Sequence, residues 1–382
     1  MMKIGILGYG TVGKGVVKII EESFPNIKIE HICVKDTTDC LDERFTTDTS
    51  VLLNNIDVLL EMIVGESPAY EIICDALSRG IHVITSNKAT VATHLEEFAE
   101  LAIKNQVQFR FEASVGGGIP WIESCIKAKR IDSIRSVKGI LNGTTNYILD
   151  RMQKERIDFD ECLQDAQRLG YAEQDPSADI DGYDVQRKIM ISSSLAYGGI
   201  IPYTQFDCVS LRHIKRIDLI HFEEEGYTIK YIGSSFIRDH QVYGSVEPVL
   251  IKKNDLFAQV DKNNNVVELI GDTIGSLKFV GQGAGQLPTA NAMIQDLLDI
   301  LDSRKNELHF YHQLQMNLEL CKNTYIFCSN QNIFDNTKMD VIQLNHRVIA
   351  ISSPMTPKQR NEYLEELRRI DDSVFCIRKE EA

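Results

Sequence analysis

The chain has 382 residues, more than one hydrophobic core usually serves, so two or three domains are expected. Its 43% hydrophobic and 25% charged residues suit a soluble globular protein, and no uninterrupted apolar run is long enough for a membrane-spanning helix. The net charge of −14, with no basic patch, argues against nucleic acid and against docking on an anionic membrane.

The nine cysteines are scattered, with no Cys-x-x-Cys pair, and the nine histidines show no metal-ligand spacing. Reduced thiols in a cytoplasmic protein are expected, with no disulfide framework and no zinc site. The apolar N-terminus reads as a strand and turn, not as a signal peptide.

Lys3 to Leu7 is a short apolar run, and Gly8-Tyr9-Gly10-Thr11-Val12-Gly13 follows at once. A helical stretch, Lys14 to Glu22, and a second β-like run, Ile27 to Val34, come next. This is the setting in which a Gly-x-Gly-x-x-Gly loop binds a dinucleotide. Gly8 permits the tight turn, Gly10 lets the backbone approach a pyrophosphate, and Gly13 allows close helix–strand packing. With Thr11 and Val12 they bring the N–H groups of the helix start to the phosphates. About twenty residues further on, such units often carry an acid for the ribose 2′-hydroxyl. Lys35 and Asp36 stand there. Lys35 suits the 2′-phosphate of NADP, and Asp36 keeps NAD open.

Ile56 to Val64 is a third strand, Tyr70 to Arg79 a helix closed by Gly80, and His82 to Thr85 a strand running into Ser86-Asn87-Lys88-Ala89. A lysine at the C-terminal end of a parallel strand lies where open α/β sheets bind ligands. It could equally be a plain helix-start residue. Helix Leu95 to Asn105 and strand Gln108 to Glu112 complete an alternating region. In Glu112 to Pro120, Gly116-Gly117-Gly118 free the backbone to bend and to expose carbonyls. With the Glu112 carboxylate these could hold a hard cation, or the run could be a hinge.

Ser136 to Leu141 is a strand ending in Asn142-Gly143-Thr144-Thr145-Asn146, a turn that suits the floor of a substrate pocket or a simple helix cap. Helix Tyr147 to Lys154 follows. The stretch Gly170 to Lys188 then gathers Glu173, Asp175, Asp179, Asp181 and Asp184. Pro176 and Gly182 make its first half a loop. A helix is expected from Asp181 as N-cap, with Asp184 and Lys188 on one face. They form either a solvated ion pair or a site where carboxylates grip an ammonium substrate and a lysine handles a proton.

Tyr227 to Ile251 looks like antiparallel sheet. Gly281 to Ala290 is a second glycine loop, opening helix Asn291 to Leu301. Strand Arg347 to Ser352, helix Pro357 to Ile370 and strand Val374 to Lys379 close the chain. The expected domains are residues 1–138, dinucleotide-binding; 139–303, for substrate, with its last helix packing back on the first domain; and 304–382.

Together Ser86-Asn87-Lys88-Ala89, the run Glu112 to Pro120, Gly139 to Tyr147, the acidic stretch from Leu169 to Lys188, and Gly283-Ala284-Gly285 with Pro288-Thr289-Ala290 resemble homoserine dehydrogenases. The resemblance runs from Lys3 to about Leu301. It implies an α/β fold: an N-terminal Rossmann domain, an α+β substrate and dimerisation domain, and a degenerate ACT-like C-terminal tail. It implies reduction of L-aspartate 4-semialdehyde to L-homoserine by NADP or NAD, toward threonine, methionine and isoleucine, in a homodimer. Lys88 and Lys188 match lysines that assist proton transfer. Glu173, Asp184 and Asp179 match substrate-binding acids. Gly170 and Gly283, with Lys88 and Glu173, match positions touching the cofactor. Glu112, Val115, Gly117 and Ile119 match a sodium or potassium site.

Many bacterial relatives end in an ACT domain of βαββαβ type. Only Arg347 to Lys379 matches part of one here, so threonine feedback through the tail is not expected. Two other functions stay open: a related NAD(P)-dependent enzyme of amino-acid aldehydes, and a catalytically idle regulatory paralogue. Nothing structural demands Lys88, Glu173, Asp184 and Lys188 together, which weighs against the idle form.

Overall fold

The computed structural model describes residues 1–36, 42–305, 308–312, 314–344 and 346–380. The chain forms two compact units. One comprises Met1–Ser133, Ser194–Pro202 and Gly281–His312; the other comprises Ile134–Ser193, Tyr203–Val280 and Gln313–Ala382.

The first unit holds strands β1 (Met2–Leu7), β2 (Ile27–Cys33), β3 (Phe45–Thr46), β4 (Val58–Glu61), β5 (His82–Thr85) and β6 (Phe109–Arg110). Their order, β3-β2-β1-β4-β5-β6, is that of a doubly wound dinucleotide-binding sheet. All its pairings are parallel. Strands covered on both faces need continuous apolar sequence, and β4 is buried at all four positions. Strand order reverses between β1 and β4, the switch point where such sheets bind ligands. Helix Thr11–Ser23 buries Val16, Val17 and Ile20 in one core with Ile4, Ile6 and Leu60. Helix Gln286–Leu301 adds Met293 and Leu297 to that core. A side chain at Gly15 would meet Ala290 and Gln286 at 3.0 Å, so glycine sets how closely these helices approach.

The second unit holds β7 (Ile134–Ile140), β8 (Asp207–Cys208), β9 (Tyr227–Arg238), β10 (Gln241–Lys252), β11 (Asn264–Gly271), β12 (Gly275–Gln282), β13 (Gln315–Met316), β14 (Thr324–Ser329), β15 (Asp340–Leu344), β16 (Arg347–Ile351) and β17 (Phe375–Lys379). The sheet order is β12-β11-β7-β9-β10-β17-β14-β16-β15. The expected antiparallel sheet is the β9–β10 hairpin. It turns through Asp239 and His240, both at positive φ, which matches the right-handed twist of the strands. The other edge of β10 is covered in turn by β13, β8 and β17, all parallel.

The tail departs from the sequence reading. Besides β16, helix Pro357–Arg368 and β17, it contains β14 and β15. β14 lies between β17 and β16, and β15 is outermost. This is a βαββαβ-like layer without its first helix. Residues 330–339 are irregular in its place, because Asp335 draws the N–H and hydroxyl of Thr337 into a turn.

No helix among the described residues is long and apolar enough to cross a membrane. The cysteines described are free thiols.

Candidate active site

In the first unit a cleft of about 720 Å³ opens at the switch point. Gly8, Gly10, Lys14, Lys35, Asp36 and the Met62–Val64 segment are among its lining residues. Helix Thr11–Ser23 begins here with no side-chain cap and no acid in its first turn. The N–H groups of Thr11, Val12 and Gly13 therefore suit an anion. Gly8 has φ +99°, and a side chain at Gly13 would fall on the Gly8 carbonyl oxygen. Both glycines are required by this turn. Lys35 and Asp36 reach the cleft together, so its geometry does not choose between the two cofactors. Lys14, 5.9 Å from the Tyr9 ring centre, is a further cation here that the glycine motif did not single out.

Lys88 is half-buried and is the first residue of helix Lys88–Lys104. The helix starts seven positions before the expected Leu95, because Asn87 caps it by accepting the Thr90 N–H; it is kinked at His94. Below this turn lies Glu61, wholly buried at the end of β4. It accepts hydrogen bonds from the Thr85 hydroxyl and from the Ile63 N–H at 2.8 Å. Burial pushes its carboxyl up to about 7. The sequence signal was an acid inside the apolar run Ile56 to Val64.

The two glycine-rich loops meet. Gly117, at φ +58°, lies against the backbone of Gly283, and the Gly118 N–H bonds the Gln282 carbonyl at 3.1 Å. No side chain fits at Gly117 or Gly118, so the glycine run has a packing reason of its own. The Glu112 carboxylate spends each oxygen on a backbone N–H, of Ile122 and Glu123, both at 2.8 Å. It thus caps helix Trp121–Lys129 by position and charge. Burial raises its carboxyl to about 7. Asp296, buried beside it, accepts the Glu112 N–H at 2.9 Å. Among the described residues no group of three or more His, Cys, Asp or Glu could hold a metal ion. Val115 and Ile119 are buried in the same turn as Gly117.

In the second unit Asp184 and Lys188 fall within helix Tyr183–Tyr197 and are 5% and 8% exposed, so a solvated surface pair is ruled out. Lys188 Nζ donates to Asp184 Oδ2 at 2.9 Å and to the Leu141 carbonyl at 2.7 Å. Asn142, capping helix Gly143–Glu155, donates from Nδ2 to Asp184 Oδ2 at 2.9 Å and to Asp179 Oδ1 at 2.7 Å. The polar turn after β7 therefore gathers Asp179, Asp184 and Lys188. The sequence leaves Asn142 either a pocket-floor residue or a helix cap; it caps the helix, and its link to both acids depends on tertiary packing.

Asp181 is not the expected N-cap. It follows the short helix Ser177–Ile180 and accepts from Ser210 and Arg212, while Gly182 at φ +88° precedes the longer helix. Gly170 and Glu173 lie apart, on an exposed segment where Gln167 bonds the Glu173 carbonyl. Gly170 has φ +76°. The segment is braced at Tyr171, whose carbonyl accepts the Thr144 hydroxyl at 2.7 Å.

A chain with a phosphate-ready cleft at a Rossmann switch point, and a buried lysine set among carboxylates, is a nicotinamide-dependent oxidoreductase. Family models agree: residues 8–112 match the NAD-binding domain of homoserine dehydrogenase, and residues 120–298 match homoserine dehydrogenase. A homoserine dehydrogenase of Synechocystis is 37% identical over 317 residues, 78% of this chain and 73% of that protein. One of Neisseria gonorrhoeae is 35% identical, over 78% and 72% respectively. The crystal structure of a homoserine dehydrogenase from Thiobacillus denitrificans superimposes with a TM-score of 0.89 at 29% identity, covering 100% of this chain and 98% of that one. The chain belongs to the homoserine dehydrogenase family.

Proposed function

We propose that the protein reduces L-aspartate 4-semialdehyde to L-homoserine, reversibly, with Lys88 and Lys188 as proton-handling groups. The observation that carries this is the Asp179–Asn142–Asp184–Lys188 constellation. The substrate bears an α-ammonium group, which needs carboxylates, and Asp179, Asp184 and Glu173 supply them. A bound nicotinamide supplies the hydride. As the aldehyde oxygen gains charge, a lysine ammonium stabilises it and gives it a proton. Lys88 and Lys188 serve this step. Gly170, Glu173 and Gly283 help hold the cofactor, with the loop Gly8 to Gly13. Residues 1–138 bind the dinucleotide, 139–303 serve substrate binding and dimerisation, and 304–382 form a tail. The working form is a cytoplasmic homodimer on a route to threonine, methionine and isoleucine.

Purified protein should oxidise L-homoserine with NADP or NAD, followed by nicotinamide absorbance, and deleting the residues after Asn306 should leave its response to L-threonine, whether inhibited or not, unchanged. Turnover of a different amino alcohol in preference to homoserine would redirect the reading to a related aldehyde enzyme. No turnover with either cofactor would favour the idle paralogue. Light scattering giving a monomer mass would sink the dimer.

Lys35 should select the cofactor. A 2′-phosphate gains a charge-assisted contact there. Lys35→Ala should raise the apparent constant for NADP(H) by roughly tenfold, about 1.4 kcal/mol, and leave that for NAD(H) nearly unchanged. Equal effects on both would show that Lys35 does not read the 2′-position.

The loop Glu112 to Ile119 suits a monovalent cation, since main-chain carbonyls beside two buried carboxyls are an all-oxygen set. The Glu112 carboxylate is already spent on backbone N–H groups, so the carbonyls of Val115, Gly117 and Ile119 are the expected ligands. The ion would be structural. Sodium or potassium should raise the thermal midpoint by roughly 2–4 °C over tetramethylammonium at equal ionic strength, the shift that about 1 kcal/mol gives. Identical midpoints and rates in all three salts would remove the cation.

A further inference from the structure

Glu61 ends β4 inside an otherwise apolar segment, Val58 to Val64. A leucine would satisfy the strand there, and a buried carboxyl must be held by hydrogen bonds to be tolerated at all. The hydrogen-bond partners described for it are neutral: the Thr85 hydroxyl, the Ile63 N–H and, at 3.5 Å, Asn87 Nδ2. They belong to the two segments that follow adjacent strands. One includes the Met62–Val64 wall of the cleft; the other is the turn that delivers Lys88.

The bonds continue outward in both directions. The Thr85 oxygen accepts the Asn87 N–H at 2.9 Å, so the threonine is held from both sides. Asn87 Nδ2 donates to the Gly65 carbonyl at 2.6 Å, and its oxygen caps the helix that Lys88 begins. The Ser86 N–H bonds the Glu61 carbonyl at 3.1 Å. Main chain and side chain of one acid thus fix the residues on either side of the Lys88 turn. Thr85 can accept from Asn87 and donate to Glu61 only if Glu61 acts as an acceptor there.

We propose that Glu61 is a positioning residue, which through Thr85 and Asn87 sets the backbone from which Lys88 reaches the reacting oxygen. The proposal rests on the role given to Lys88 above. Glu61 is wholly buried and does not line the cleft. Its effect is on geometry, to which proton transfer is steep: a displacement of about 1 Å can cost on the order of 10²-fold.

The test uses Glu61→Leu, which fills the strand position without acceptors, and Thr85→Val, which removes the relay at constant shape. Circular dichroism and thermal melting check folding, so Thr85→Val decides the matter if Glu61→Leu does not fold. Each should lower kcat by roughly 10–100-fold and change the Kd for NADPH, read by fluorescence, by far less. Glu61→Gln should recover most of the loss, because its carbonyl still accepts the Ile63 N–H. In a Lys88→Ala background Glu61→Leu should cost little more, the non-additivity of residues acting as a unit. A folded Thr85→Val protein with wild-type kcat would overturn the proposal. So would losses from Glu61→Leu and Lys88→Ala that simply multiply. Wild-type turnover in Lys88→Ala would instead sink the role of Lys88 itself, and the positioning role with it.

Discussion

Lys188→Ala should lower turnover by roughly 10²-fold or more, the scale of general acid catalysis, with a much smaller change in cofactor affinity. Lys188 is one helical turn beyond Asp184, so the i,i+4 spacing delivers its ammonium to that carboxylate. The Leu141 carbonyl holds the ammonium from a second direction. A cation fixed by a carboxylate and a carbonyl needs no reorganisation as the alkoxide develops, which is what makes it effective. Arginine should rescue little, since a planar guanidinium cannot take the place of a compact ammonium between these two acceptors and does not release a proton. If Asp184 and Lys188 were the solvated pair the sequence also allows, alanine there would be nearly harmless. At 8% exposure it is not on the surface. Its removal leaves buried acceptors short of a donor, so a stability loss of about 1–3 kcal/mol should accompany the kinetic one. Rates therefore belong well below the melting temperature. Near-normal kcat in a folded Lys188→Ala protein would take this lysine out of the mechanism.

Arg347→Ala should cost about 3–5 kcal/mol of stability, the usual consequence of stranding one member of a buried ion pair. Arg347 opens β16 and is 0% exposed, as is Asp218. The pairing is two-pronged: Nε to Oδ1 at 2.9 Å and Nη2 to Oδ2 at 3.0 Å. The same guanidinium bonds the His213 carbonyl and Asn330, while Asp218 also accepts the Lys215 N–H that caps helix Arg216–Glu224. Arginine alone satisfies three directions at once. A loss of this size is a large part of a typical protein's margin of about 5–15 kcal/mol. The urea midpoint should fall with little change in slope. Replacing both partners, Arg347→Met with Asp218→Leu, should recover much of the loss, since no charge is then left buried. A single-variant loss below about 1 kcal/mol would mean that the pair is far more solvated than its burial implies.

These two pairs also show how differently the chain discloses itself. Asp184 and Lys188 are four apart on a helix, and the interval alone brings them together. Arg347 and Asp218 are joined only because β16 and helix Arg216–Glu224 are packed into the same unit. Gly8, Gly10 and Gly13 belong with the first kind. The strand, turn and helix around them are contiguous, and Gly13 is required by an atom five residues away. The tail falls between the two kinds. Its last strand, helix and strand have clear periods, but β14 and β15 are separated by an irregular stretch and gain their partners from β16 and β17.

By itself the sequence determined the dinucleotide-binding half, the alternating order of its elements, the pairing of Asp184 with Lys188 and the family likeness. All of these reside in local spacing, which the backbone's own helical and strand periods convert into geometry. Tertiary structure alone decided that the pair is buried, that Asn142 ties it to Asp179, that the Glu112 carboxylate caps a helix, and that Glu61 underlies the Lys88 turn. Each of these depends on which distant donor meets a carboxylate, and on how much water is left beside it. Those are properties of packing between segments, and no interval along the chain encodes them.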